Sequence, residues 1–182
     1  NLISLPDALA LGTDIVLPSV ELSMDDLAVL QYTGGTTGPA KGAVLTHGNV
    51  FAGMRMSKLS VSLEGHEDVI LIAPMPLYHI FGFTMNLIGG FIDGSHSVLV
   101  PDPRDINGLI GLLKRYKFTS MASVNTLLQG LMMHPEFDQI DFSGVKGVIA
   151  GGTALVKEIA DEWQARTGSQ IFEGYGLSET TA

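Results

Sequence analysis

Apolar positions along this 182-residue chain fall into short runs that alternate between strand and helix spacing. The runs at 26–33 (DLAVLQYT) and 43–46 (AVLT) read as strands, paired as a hairpin around the glycine-rich segment between them. The apolar run at 69–73 (VILIA) reads as a buried strand, and 97–100, 118–122, 145–150 and 169–173 read as further strands. Between them, 49–60 places Val50, Phe51, Met54 and Leu59 near helical spacing, with Thr46 or His47 close to its start. Further helices are predicted over 78–92, over 105–116 with Asp105 as cap, over 125–133 ending near Pro135, and over 155–167 ending at Gly168. Residues 1–25, with Pro6 and Pro18, read as a connecting region ahead of a motif-bearing core at 26–182.

Strands alternating with helices predict an α/β fold: a layered, largely parallel sheet with flanking helices. Ligands of such sheets sit beyond the carboxyl ends of strands. Three glycine-rich turns, after 26–33, 145–150 and 169–173, are expected there on one edge.

Composition narrows the chemistry. With 19 acidic against 10 basic residues, the formal charge is −9, which argues against a general nucleic-acid or anionic-membrane binder. Absence of cysteine excludes disulfides and thiolate metal sites, and five scattered histidines give no helical zinc pair. The segment from Pro74 to Gly94 is apolar but broken by Asn86 and glycines; it reads as a buried helix, with a membrane span as the lesser alternative. Its glycines also suit the wall of an elongated apolar ligand site. Met54, Met56, Met75, Met85, Met132 and Met133 read as core, with Met85 open to an acyl-pocket role.

The segment Tyr32-Thr-Gly-Gly-Thr-Thr-Gly-Pro-Ala-Lys-Gly42 holds three threonines, four glycines and one lysine. Glycines let backbone N–H groups close on a ligand, hydroxyls donate, and Lys41 adds a point charge, a set that suits polyphosphate oxygens. It is not a Walker A loop, because Ala40 precedes Lys41 and Gly42 follows it.

This segment resembles the phosphate loop of the adenylate-forming enzymes: acyl-CoA synthetases, luciferases and peptide-synthetase adenylation domains. Gly34 and Ala40, where the family more often has Ser and Pro, are similar to the bacterial long-chain fatty acid–CoA ligase branch. Three more segments match in order: Pro76-Leu-Tyr-His-Ile-Phe-Gly82, Ala150-Gly-Gly-Thr-Ala-Leu155 and Phe172-Glu-Gly-Tyr-Gly-Leu-Ser-Glu-Thr180. Ser123-Val-Asn-Thr-Leu127 adds a weaker likeness.

The resemblance implies ATP-dependent activation of a carboxylate, followed by thioester formation with coenzyme A. It implies that Thr33, Gly35, Thr36, Thr37, Gly38 and Lys41 hold the β- and γ-phosphates. Tyr175, within Glu173, Gly174 and Gly176, would stack on adenine; Ser178 would bond the α-phosphate; Glu179 would ligate Mg²⁺. Gly151 and Gly152 would leave room for the adenylate, and His79 would sit beside the reacting carboxylate or the thiol entrance.

The family's ribose-binding motif, hinge and C-terminal domain are not found in 1–182. The chain is therefore expected to be a fragment of the large N-terminal domain, inactive when assayed alone. The expected substrate is a long-chain fatty acid, in the cytoplasm or peripherally at the inner membrane face; oligomeric state is left open. Two alternatives stand beside it: adenylation of an aryl or amino acid, and a catalytically idle nucleotide-binding module. A purely structural interaction domain would leave the four ordered motifs unexplained.

Overall fold

The computed structural model describes residues 3–33, 38, 40–60 and 69–182, with side chains at 58–60 excluded. Its elements are α1 (Leu5–Gly12), β1 (Leu27–Thr33), β2 (Lys41–Thr46), α2 (His47–Ser60), β3 (Ile70–Ala73), α3 (Ile80–Gly82), a π-helical segment (Phe83–Gly89) and α4 (Gly90–Ile92). There follow β4 (His96–Leu99), α5 (Ile106–Arg115), β5 (Ser120–Ser123), α6 (Asn125–Met132), β6 (Gly147–Ala150), α7 (Lys157–Thr167) and β7 (Ile171–Glu173).

β1 and β2 pair antiparallel, with Leu30 opposite Val44 and Thr33 opposite Lys41. The other five strands form a wholly parallel sheet in the order β4-β3-β5-β6-β7. Every residue of β5 and β6 is buried, as expected for parallel strands covered on both faces. Successive strand side chains alternate between faces. Val148 and Ala150 join the core packed by α5, α6 and α7, whereas Ile149 faces cavities lined also by α2 and the π-helical segment.

Within the core Trp163 meets Phe137 and Phe142, each at a ring-centroid distance of 5.5 Å. The fully buried Trp163 would lose a hydrogen bond to water, and its Nε1 instead donates to Ser169 Oγ at 2.8 Å. Leu109, Ile110 and Leu113 of α5 and Leu128 and Leu131 of α6 complete the layer. Gly168 ends α7 at φ 71°, the left-handed conformation that a C-terminal glycine adopts without a Cβ clash.

Three sequence readings change. The connecting region contains α1, whose start is fixed locally: Ser4 accepts from Asp7 N, and Pro6 lies in the first turn. The glycine-rich loop after β1 belongs to the separate hairpin, so only two of the three glycine-rich turns lie on the parallel sheet's carboxyl edge. Met56 and Met133 are exposed rather than core, although Met54 and Met132 are buried as expected. Periodicity places a methionine on a helix but does not show which helix face a neighbour will cover.

The helix expected at 78–92 forms over 80–92, with its middle wound as a π-helix. Among the described residues no helix is long and apolar enough to cross a membrane.

Candidate functional site

A cavity of about 660 Å³ opens where the hairpin, α2, the 79–85 segment and the carboxyl ends of β6 and β7 meet. Each supplies a different kind of wall. Thr33 comes from the end of β1, Met56 and Ser57 from α2, and His79 and Met85 from the apolar helical run. Gly151 and Gly152 follow β6; Glu173, Gly174, Tyr175, Gly176, Ser178 and Glu179 follow or end β7. Five segments far apart in sequence therefore contribute to one volume.

The turn after β6 is held from both sides. Gly152 has φ 81°, a left-handed conformation strained for residues with a Cβ. Asn125 Nδ2 donates to Ala154 O at 2.8 Å and to Thr153 Oγ1 at 3.1 Å, while Asn125 Oδ1 accepts from Val156 N at 3.1 Å. Glu173 Oε1 accepts from Leu155 N at 2.8 Å. Asn125 and Glu173 thus lock the backbone that follows the two glycines. Glu173 is accordingly a positioning residue for this turn as well as a wall of the cavity.

The segment after β7 is anchored across the fold. Thr84 Oγ1, buried in the π-helical segment, donates to Thr181 O at 2.9 Å. Thr180 Oγ1 donates to Leu177 O and accepts from Leu177 N, both at 3.0 Å, closing the short turn that carries Ser178 and Glu179. Tyr175 is 90 % exposed, so its ring face is open to a planar ligand.

His79 caps α3: its Nδ1 accepts from Phe81 N at 3.2 Å. That bond uses the Nδ1 lone pair, so in the neutral ring the proton sits on Nε2.

Lys41 opens β2 opposite Thr33 and is exposed; Thr33 Oγ1 donates to Lys41 O at 3.3 Å. Lys41 does not line the cavity, though its strand partner Thr33 does. Gly38 is also exposed. Gly35, Thr36 and Thr37 lie outside the described residues.

Ser57 and Gly53 line the cavity without having been singled out in the sequence, and Met56, expected in the core, lines it as well. No local signal marks them, because their role comes from α2 crossing the mouth of the cavity. Asn125 did carry a signal, lying within the Ser123–Leu127 stretch.

A bound Mg²⁺ takes oxygen ligands and is commonly held by one or two carboxylates together with substrate phosphates. Among the described residues no three metal-ligating side chains cluster. Of the two carboxylates on this wall, Glu173 is engaged by Leu155 N, and Glu179 fits an ion shared with a nucleotide better than a preformed protein cage.

Comparison with known proteins agrees with this geometry. The AMP-binding enzyme family matches residues 6–182. A long-chain-fatty-acid–CoA ligase of Salmonella typhimurium is 42 % identical over 178 residues, covering 97 % of this chain and 32 % of that protein. The chain thus spans about a third of the length of this curated relative. An inhibitor-bound N-terminal domain of FACL13 from Mycobacterium tuberculosis superposes with a TM-score of 0.80 at 26 % identity, over 90 % of this chain and 40 % of that one. O-succinylbenzoate CoA synthetase of Bacillus subtilis, in complex with ATP and magnesium ion, gives 0.75 at 27 % identity, over 91 % and 34 %.

Proposed function

The chain belongs to the AMP-binding enzyme family, and from that premise we propose that it forms the nucleotide- and acid-facing wall of an ATP-dependent fatty acid–CoA ligase. One observation carries the proposal: Thr33, His79, Gly151, Gly152 and the 173–179 segment converge on a single cavity. The identity to a long-chain-fatty-acid–CoA ligase supports a fatty acid as the carboxylate. Residues 26–182 are assigned to the motif-bearing part of an N-terminal AMP-binding domain, and 1–25 to the connection before it.

In the first half-reaction a carboxylate oxygen attacks the α-phosphorus of ATP. The bond to the bridging oxygen breaks, pyrophosphate leaves, and an acyl-adenylate forms. In the second, the coenzyme A thiol attacks the acyl carbon, its proton passes to solvent, and the acyl carbon–oxygen bond to AMP breaks, leaving the thioester and free AMP. Both steps bring nucleophile and electrophile together within a charged site, so positioning and charge neutralisation carry the catalysis.

Thr33, Gly35, Thr36, Thr37, Gly38 and Lys41 would hold the β- and γ-phosphates. Tyr175 would stack on adenine, with Glu173, Gly174 and Gly176 shaping the turn around it. Ser178 would donate to the α-phosphate. Mg²⁺ bound at Glu179 would neutralise charge on the phosphate oxygens. Gly151 and Gly152 would pass the adenylate, and His79, donating from Nε2, would orient the carboxylate. The activity is placed in the cytoplasm, with peripheral contact at the inner membrane face as the source of water-insoluble acids.

The test is acid-dependent ATP–pyrophosphate exchange by the full-length protein containing this chain, across acetate, medium and long fatty acids, an aryl acid and mixed amino acids. Exchange confined to long fatty acids is the expected result. Exchange with another acid would overturn the substrate class. No exchange by a folded protein that binds ATP would favour the idle nucleotide-binding module. Lys41→Ala is expected to weaken ATP binding about 10- to 100-fold, the worth of one charge-assisted phosphate contact; unchanged affinity would remove Lys41 from the phosphate site.

A further inference from the structure

Behind the main cavity lies a second, smaller chamber of about 60 Å³. The two share Ser57, Met85 and Ile149 as walls. Met85 is the adaptable part of that partition, being unbranched and free to rotate about three bonds. The chamber is walled by α2, the π-helical segment and the face of the sheet that carries Ile149.

Its chemistry is unusual for an apolar interior. Asn86 is only 4 % exposed, and its Nδ2 has no hydrogen-bond partner. A buried unpaired donor forfeits its hydration without replacement, so such groups are rare in folded proteins. Asn86 lies within the Phe83–Gly89 π-helical segment, a winding found mostly as short interruptions and frequently at functional sites.

Three hydroxyls on the same walls have already spent their protons. Ser57 Oγ donates to Gly53 O at 3.0 Å, Ser120 Oγ to Gly147 O at 3.0 Å, and Thr84 Oγ1 to Thr181 O at 2.9 Å. Each retains lone pairs that can accept. The chamber therefore offers one unpartnered N–H donor, with hydroxyl oxygens and the Asp93 carboxylate as acceptors on its walls. A guest that satisfies both must accept and donate through one small group. A hydroxyl does this; a terminal methyl does neither.

We infer that this chamber is a tail-recognition site for acyl chains that carry a hydroxyl at the end remote from the carboxylate, with Asn86 as the specificity-determining residue. The inference rests on the acid-activation reading for the occupant of the main cavity. The carboxylate end lies with His79 and the glycine turn, the chain passes Met85, and the tail oxygen accepts from Asn86 Nδ2–H. Its own proton goes to a serine or threonine oxygen. No covalent step is involved.

The experiment is calorimetric titration of the full-length protein without ATP, using straight-chain acids from eight to eighteen carbons and their ω-hydroxy counterparts. At the one or two lengths that reach the chamber, the hydroxy acid is expected to gain about tenfold in affinity over its plain counterpart, compared with other lengths. Asn86→Leu, close in shape and unable to donate, is expected to erase that gain and leave the plain acids bound. Met85→Phe, which narrows the partition, is expected to erase it independently should the Asn86 variant fail to fold.

Plain acids that bind and support exchange, with no hydroxyl gain at any length, would overturn the tail site alone. So would a gain that survives both substitutions. A loss of melting temperature in Asn86→Leu without any hydroxyl gain would assign the chamber to a structural water, also against the inference. Failure of every fatty acid to bind or to support exchange would overturn the acid-activation reading itself, and the tail site with it.

Discussion

Helices α1 and α6 have the same length, eight residues, and are held by opposite means. α1 has a side-chain N-cap in Ser4 and no buried residue; Leu5, Leu9 and Leu11 are all exposed. α6 has no side-chain cap, yet it buries Leu127, Leu128, Leu131 and Met132. An isolated helix of this length is marginal in water, because nucleation costs more than a few hydrogen bonds return. Packing therefore makes α6 a fixed scaffold, while α1 is a locally signalled turn of chain. The distinction reaches function: α6 begins at Asn125, whose amide locks the turn carrying Gly151 and Gly152. A residue can place a loop to hydrogen-bond accuracy only if its own backbone is immobile.

Leu131→Ala tests the strong side of the contrast and carries the largest expected effect. Leu131 is fully buried, and truncation should cost about 2–5 kcal/mol, measured by urea denaturation. A loss under about 1 kcal/mol would mean that α6 is not the scaffold described here.

Asn125→Ala comes next. It removes three hydrogen bonds to residues 153, 154 and 156 while leaving the α6 core intact. The expected stability loss is about 1–2 kcal/mol, since exposed partners regain water. Nucleotide affinity should fall more than stability does, and Asn125→Asp should keep the Val156 contact but not the one to Ala154 O, a carbonyl that can only accept. Equal nucleotide affinity in wild type and Asn125→Ala would show that the turn keeps its shape without α6.

Much of this was legible in the sequence, for physical reasons that differ by element. The strand run at 69–73 was readable because strands buried on both faces are continuously apolar. The end of α7 was readable because Gly168 takes a conformation other residues resist. The cavity residues after β6 and β7 were readable because their chemistry is concentrated in contiguous motifs. α1 was not: its Ser4-Leu-Pro-Asp7 start is a capping signal, but the apolar stretch that continues it makes a helix of only eight residues and buries none of them. The separation of the hairpin from the parallel sheet was also hidden, because pairing partners depend on topology rather than on local pattern. Nor could spacing show that Met56 faces solvent and cavity instead of core, or that Asn86 lacks a partner. Those facts arise only when α2 and the π-helical segment meet above the sheet.

The weak side of the contrast predicts the smallest effect. Ser4→Ala removes the oxygen that accepts from Asp7 N at 3.3 Å and donates to Asp7 Oδ2 at 2.6 Å. Loss of an N-cap typically costs about 1 kcal/mol of helix stability. Because α1 buries nothing, that cost should stay within α1 and leave global unfolding unchanged to within about 0.5 kcal/mol. Hydrogen exchange resolves the two: amides of residues 8–12 should exchange faster in the variant, while those of α6 should not change. A global loss comparable to that of Leu131→Ala would show that α1 is packed in solution against chain outside 1–182. Its exposed leucines would then belong to an interface, and α1 would be a second scaffold helix rather than the opposite of the first.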